Sequence, residues 1–181
     1  MIKQLLTIAF LLLSALASAA DKQVKANDKN ISFVGRTETL ADGSVRYDWV
    51  GTYMKTRFTG GRIGVVASET GKSYYNVIID GRVTKKILIT GTNPQTIMLA
   101  EKLPKGEHEL MLQKCTEGEY GCTTIHSVVI DNKATLSVVE PKSRLIEAYG
   151  DSYTVGYGTE GLKASELFKL ETENCYKAYI P

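Results

Sequence analysis

The residues best suited to chemistry stand together in Gly150-Asp151-Ser152-Tyr153-Thr154-Val155-Gly156-Tyr157-Gly158. A strand-like run, Leu145-Ile146-Glu147-Ala148-Tyr149, leads into them. A serine reached through a glycine directly after a strand projects its hydroxyl at the carboxyl end of a sheet, where open α/β folds place their sites. The chemistry open to it is acyl transfer: the hydroxyl attacks a carbonyl carbon while the serine's own backbone N–H helps hold the oxyanion. The spacing is Gly-Asp-Ser-x-Thr-x-Gly and not Gly-x-Ser-x-Gly, so the elbow of an ordinary α/β-hydrolase is not indicated.

A serine nucleophile also needs a base within hydrogen-bond reach. The sequence holds two histidines, His108 and His126. Both fall in strand-like runs and read most simply as strand or rim residues. Asp151, in a tight turn, reads as an acceptor of backbone N–H groups, with polarisation of a catalytic group as the other reading. Tyr153 and Tyr157 flank the serine and are candidate substrate-binding residues, although aromatic side chains are ordinary in glycine-rich loops. Tyr74, Tyr75 and Trp49 read as strand and packing residues before sugar platforms. The Lys85-Lys86 pair reads as a solvated turn or strand edge.

The elements that would position these residues are short and mostly extended. Met54, Thr56 and Phe58 alternate against Lys55 and Arg57, the period of a half-buried strand. Residues 63–67, 74–79, 83–90, 96–100, 107–115, 123–130 and 135–139 are further strand-like runs. Asp80-Gly81 supplies the positive φ of a tight hairpin, and Asn93-Pro94, Pro104-Lys105-Gly106 and Asp131-Asn132 are breaks. The expectation over residues 31–140 is an antiparallel β-sandwich, of which a jelly roll is one arrangement; periodicity alone does not separate it from an immunoglobulin-like one. After Pro141 the texture changes. The strand-like run at 145–149, the glycine-rich stretch at 150–161 and a helix over 172–179, capped near Thr172 or Asn174, predict the first β-loop-α unit of an α/β domain over 144–181.

Lys3, the apolar run Leu5 to Leu13 and Ala17-Ser18-Ala19 have the layout of a secretory signal peptide over residues 1–19, followed by a polar linker over 20–30. The expectation is a secreted protein, periplasmic or extracellular, without stable membrane insertion. Removing Lys3 takes the net charge from +2 to +1, a balance that argues against nucleic acid as a partner. In an exported protein three cysteines invite a disulfide. Cys115 and Cys122 flank a polar, glycine-bearing turn, so a tie across a hairpin is expected; a metal site using both with His126 is the rival reading, but its spacing matches no common zinc pattern. Cys175 is left as a free thiol or as the partner of a residue in sequence that this chain lacks. No metal and no cofactor are expected.

The block from Gly150 to Gly158 resembles the first motif of the SGNH (GDSL-type) hydrolases, and most closely that of carbohydrate esterase family 2. Phe33-Val34-Gly35-Arg36, Asp48-Trp49-Val50-Gly51, Phe58-Thr59-Gly60, Ile79-Asp80-Gly81, Leu103-Pro104-Lys105-Gly106-Glu107-His108 and Lys114-Cys115-Thr116-Glu117-Gly118 are similar to that family's N-terminal domain, in the same order. The resemblance implies a mostly β chain: a jelly-roll-like sandwich followed by the beginning of an SGNH domain. It implies deacetylation of acetylated plant cell-wall polysaccharide, with Ser152 as nucleophile and oxyanion donor, and Gly150 and Asp151 shaping the turn. The family's later glycine and asparagine donors and its catalytic histidine have no counterpart before Pro181. The 181 residues are therefore expected to be inactive alone, completed where a separately encoded C-terminal half is supplied. The competing reading is a non-catalytic polysaccharide-binding sandwich.

Overall fold

A computed structural model describes residues 21–140, 142–144 and 146–179; the leader read over 1–19 lies outside the described residues, as does Leu145. Twelve strands are present: β1 Lys22–Lys25, β2 Ser32–Val34, β3 Glu38–Thr39, β4 Val45–Tyr47, β5 Tyr53–Thr59, β6 Ile63–Glu69, β7 Lys72–Ile79, β8 Arg82–Thr90, β9 Gln95–Ala100, β10 Glu107–Lys114, β11 Thr123–Ile130 and β12 Leu136–Ser137. They form two six-stranded antiparallel sheets. The first runs β3-β4-β11-β6-β9 with β1 also on β11; the second runs β12-β5-β10-β7-β8 with β2 also on β5. From β5 onward the chain changes sheet at nearly every turn, and β7–β8 is the exception. That hairpin turns at Asp80 and Gly81, whose φ angles are 51° and 75°, the left-handed pair that a two-residue connection between twisted strands requires.

The period-2 pattern decides which side chains meet between the sheets. Met54, Thr56 and Phe58 are buried on β5, and Tyr75, Val77, Ile79, Leu110 and Leu112 continue that inner face. Val45, Ile63, Val65, Ala67, Leu99, Ile125, Val128 and Ile130 oppose them from the first sheet. The outer faces are left for other partners. Among the described residues no helix is long and apolar enough to cross a membrane.

Three expectations are corrected. Residues 20–30 are not a linker, because Lys22–Lys25 pairs with β11, Lys22 opposite Ile130 and Lys25 opposite Ser127. β4 reaches only Thr123 to Ile125 on β11, so the rest of that edge offers backbone groups that even a polar segment gains by pairing. Cys115 and Cys122 do not flank a hairpin: β10 lies in the second sheet and β11 in the first, so residues 116–122 cross between sheets. Both cysteines are free thiols, with Cys115 Sγ on the Gln113 carbonyl at 3.7 Å and Cys122 Sγ on the Tyr47 carbonyl at 3.6 Å.

The third correction concerns the C-terminal segment. The β-loop-α unit expected over 144–181 is not formed among the described residues: 146–150 carry no strand, and Leu170–Thr172 and Cys175–Lys177 are single 3₁₀ turns in place of a helix over 172–179. A parallel strand needs a neighbour to accept its backbone bonds, and a helix this short needs its apolar face covered. Asn174 does cap, since its side chain accepts the Tyr176 N–H of the second turn.

The crossover is fixed by a polar cluster sealed at one end of the core. Tyr75 Oη donates to Thr123 Oγ1 at 2.6 Å, Thr123 donates to the buried Glu69 carboxylate, and that carboxylate also accepts the Gly71 N–H at 3.1 Å. Lys114, fully buried, donates to Ser73 and to the Gly121 carbonyl. Burial pulls the Lys114 pKa down, and the negative charge of Glu69 opposes that shift. Removing one charge strands the other in a site without water. Glu69→Gln is therefore expected to lower the unfolding free energy by about 3 kcal/mol in urea denaturation, with an unchanged m-value.

Candidate functional site

The turn around Ser152 is built by its neighbours' backbone. The Asp151 carbonyl accepts the N–H groups of Thr154 at 2.9 Å and Val155 at 3.2 Å, while its carboxylate accepts the Tyr153 N–H at 3.1 Å. Asp151 thus winds the turn around the serine. Gly150 has no room for a side chain, because a Cβ there would fall 1.8 Å from Thr154 Oγ1. The Ser152 carbonyl accepts the Tyr157 N–H at 2.9 Å. Among the described residues nothing accepts the Ser152 N–H, and its exposed hydroxyl has no partner. Tyr153 stands 82% exposed beside it, and Tyr157 stacks on Phe168 with centroids 3.6 Å apart.

Among the described residues no strand leads into this turn; the outer face of the second sheet holds it instead. Gly156, at φ +74°, lies so close to the segment returning at Asn174 that a Cβ would meet the Asn174 carbonyl at 2.3 Å. Asn174 and Asn76 of β7 exchange two amide hydrogen bonds, 2.9 and 3.3 Å, both side chains being buried. Lys86 of β8 donates to Glu160 Oε2 at 2.6 Å and to the carbonyls of Glu171 and Glu173 at 2.7 and 2.8 Å. Lys86 does lie on an edge strand, but its ammonium is a tie to the motif segment and not a solvated charge. Burial pushes the Glu160 carboxyl up, yet hydrogen bonds from Lys177, Lys86 and Asn174 hold it below its usual range. An open cavity of about 480 Å³ beside this joint is lined by Asn76, Lys86, Glu160, Asn174, Tyr176 and Lys177, and Ser152 is not among the lining residues.

The two histidines are engaged elsewhere. His108 shares Nδ1 with Asp80 at 2.8 Å and Nε2 with the Pro104 carbonyl at 2.9 Å, contacts that raise its pKa. His126, the extra residue of a bulge in β11, meets Ser68 Oγ at 2.9 Å. Neither contacts Ser152 among the described residues, so neither stands where it could take a proton from the Ser152 hydroxyl. Trp49 is not a core residue: its ring is 51% exposed under the Arg36 guanidinium, 4.7 Å from the centroid. Tyr75 is buried in the core, whereas Tyr74 on the outer face lies under Lys86. Among the described residues no group of three His, Cys, Asp or Glu side chains is arranged to hold a metal.

The residues that sequence reasoning missed are those of the joint: Asn76, Glu160 and Glu173. Glu173 accepts the Glu117 N–H at 2.8 Å, and its other oxygen is buried without a partner. Burial, then the nearby Glu117 carboxylate, raises its pKa to about 7 from an ordinary 4.5, with Lys86 and Lys114 as the opposing cations. A carboxyl whose pKa is raised by docking supports docking fully below its ordinary value, and that support is lost as pH rises through the raised one. Proteolytic release of residues 142–179 is expected to quicken between about pH 4.5 and 7, and Glu173→Gln should flatten that profile. Gly156→Ala should release the segment at every pH, read as earlier cleavage after Lys163 or Lys169 by trypsin.

The sequence profile described as Carbohydrate esterase 2 N-terminal matches residues 33–139. The cellulase/esterase CelE of Acetivibrio thermocellus is 28% identical over 162 residues, 89% of this chain and 20% of that protein. An acetylxylan esterase / glucomannan deacetylase of Cellvibrio japonicus is 28% identical over 134 residues, 74% of this chain and 37% of that protein. The chain thus spans well under half the length of these relatives. A solved family two carbohydrate esterase from Cellvibrio japonicus superposes with a TM-score of 0.77 at 25% identity, covering 88% of this chain and 48% of that one. One from Clostridium thermocellum, in complex with cellohexaose, gives 0.75 at 27% identity, covering 81% and 45%. With the sandwich matched along its length and the same antiparallel sheets in the solved relatives, the chain belongs to the carbohydrate esterase 2 N-terminal family.

Proposed function

We propose that this chain is the N-terminal part of an exported carbohydrate acetylesterase of the acetylxylan esterase type. Ser152 is its nucleophile and the Ser152 N–H one of its oxyanion donors. The observation that carries the reading is the Ser152 turn itself: among the described residues neither the hydroxyl nor the N–H of this exposed serine has a hydrogen-bond partner, while the carbonyl and carboxylate of Asp151 are committed to holding the turn. The substrate is an acetylated plant cell-wall polysaccharide, with Tyr153 and Tyr157 flanking the serine where a sugar ring would lie. Attack on the acetyl carbonyl transfers the acyl group to Ser152 and releases the sugar hydroxyl; water then frees acetate. Both proton transfers need a base that His108 and His126 do not provide from their present partners. The base comes from further polypeptide, whose packing would also cover Ile146, Tyr149, Leu162 and Leu167, all largely exposed here.

Loss of the base in a serine hydrolase costs about 10⁶ in turnover, so the 181 residues alone should hydrolyse a chromogenic acetate ester at background rate. A chimera joining residues 1–181 to the C-terminal remainder of a family-two relative should deacetylate xylan, and Ser152→Ala should cut that rate by at least about 10⁴. Activity indifferent to Ser152 would sink the reading. The exposed Trp49 with Arg36 over its ring favours a second one, a polysaccharide-binding sandwich. Retarded migration of the chain in gels cast with xylan or glucomannan, lost in Trp49→Ala, would select it.

A further inference from the structure

Two of the three cysteines come together at the joint. Alternation along β10 turns Leu110, Leu112 and Lys114 inward, which sends Cys115, the next residue, to the outer face where the motif segment docks. Cys115 there adjoins the docked segment, within electrostatic reach of Cys175. Cys175 opens the 3₁₀ turn directly after Asn174, whose amide is clasped by Asn76. Its sulfur lies 3.4 Å from the Lys114 carbonyl oxygen, the carbonyl bonded to the Cys115 nitrogen. Both thiols are buried, and each has a backbone carbonyl as its hydrogen-bond acceptor. Cys122 lies apart, on the approach to β11 in the first sheet, with its sulfur on the Tyr47 carbonyl.

We propose that Cys115 and Cys175 form a disulfide that locks residues 142–179 onto the outer face of the second sheet, with Cys122 remaining a thiol. The oxidant is an oxidised dithiol or glutathione disulfide, the class that an oxidising compartment supplies. The thiolate of one cysteine attacks the oxidant's S–S bond and expels one of its sulfurs as thiol. The second cysteine thiolate then displaces the other sulfur from the mixed disulfide. Two electrons and the two thiol hydrogens pass to the oxidant, and one S–S bond forms in the protein as one is broken in the reagent. The exchange belongs to the moment of docking. Once docked, burial raises both thiols, Cys175 to about 11, so little thiolate remains.

The test is refolding of the reduced full chain in a glutathione redox buffer, alkylation of residual thiols under denaturing conditions, and non-reducing peptide mapping. The expected result is the loss of two of the three thiols, a peptide pair linked through Cys115 and Cys175, and alkylated Cys122. Cys122→Ser should form the same link, and Cys175→Ser should leave both remaining cysteines alkylated. A link between Cys115 and Cys122, or three alkylated cysteines after refolding, overturns the proposal. Esterase activity enters none of these readouts, so the outcome is independent of the role assigned to Ser152.

Discussion

Two carboxamides, Asn76 on the second sheet and Asn174 on the segment that returns past Gly156, each satisfy the other in a place where water does not reach. A buried amide without a partner costs about 1–3 kcal/mol, so either one alone would be a liability and together they fix a position. The rest of the serine-bearing segment depends on that fixed point. Lys86 adds its three hydrogen bonds on one side of it, and Glu173 reaches the crossover backbone on the other. The turn that holds Ser152 therefore owes its position to the sandwich and not to a sheet of its own.

That dependence assigns the two faces of the second sheet different work. The sandwich's inner faces are mostly apolar and matched to each other, and the core cluster between them includes no residue of the C-terminal segment. Its outer face carries Asn76, Lys86 and Cys115 at neighbouring positions on three adjacent strands, β8, β7 and the end of β10. Those residues do no packing work inside the sandwich. Asn76 and Lys86 meet the docked segment there through matched hydrogen bonds.

The β-sandwich was legible from local pattern because each strand carries its own signal. Met54, Thr56 and Phe58 announce a buried face within five residues, and Asp80-Gly81 names its own turn. The C-terminal segment was misread because the strand expected over 145–149 and the helix over 172–179 have local propensity without partners, and propensity alone does not outweigh ordering entropy. The crossover at 116–122 was misread as a hairpin for a related reason: alternation says that the next run is a strand, but not which sheet it joins. The joint left almost no trace, since Asn76 and Asn174 stand far apart in sequence with no shared spacing. Asn174 drew notice only as a helix cap and Lys86 only as a solvated charge, and a lysine beside a lysine gives no sign that three acceptors await it. The Gly150–Gly158 string was legible as a turn because Asp151 and the close-packed Gly150 and Gly156 are demanded by the contacts it makes.

β8 closes one side of the second sheet with no strand beyond it, and it exposes Val83 and Leu88 there. An open, partly apolar margin of this kind is a template for another copy's backbone. Arg82, Lys85 and Lys86 place positive charge along that margin, so two copies approaching side by side meet like charge against like. Lys86 is the member of this row whose charge is neutralised by Glu160. Anchoring the motif segment thus removes one gatekeeper and leaves Arg82 and Lys85 to carry the repulsion along the margin.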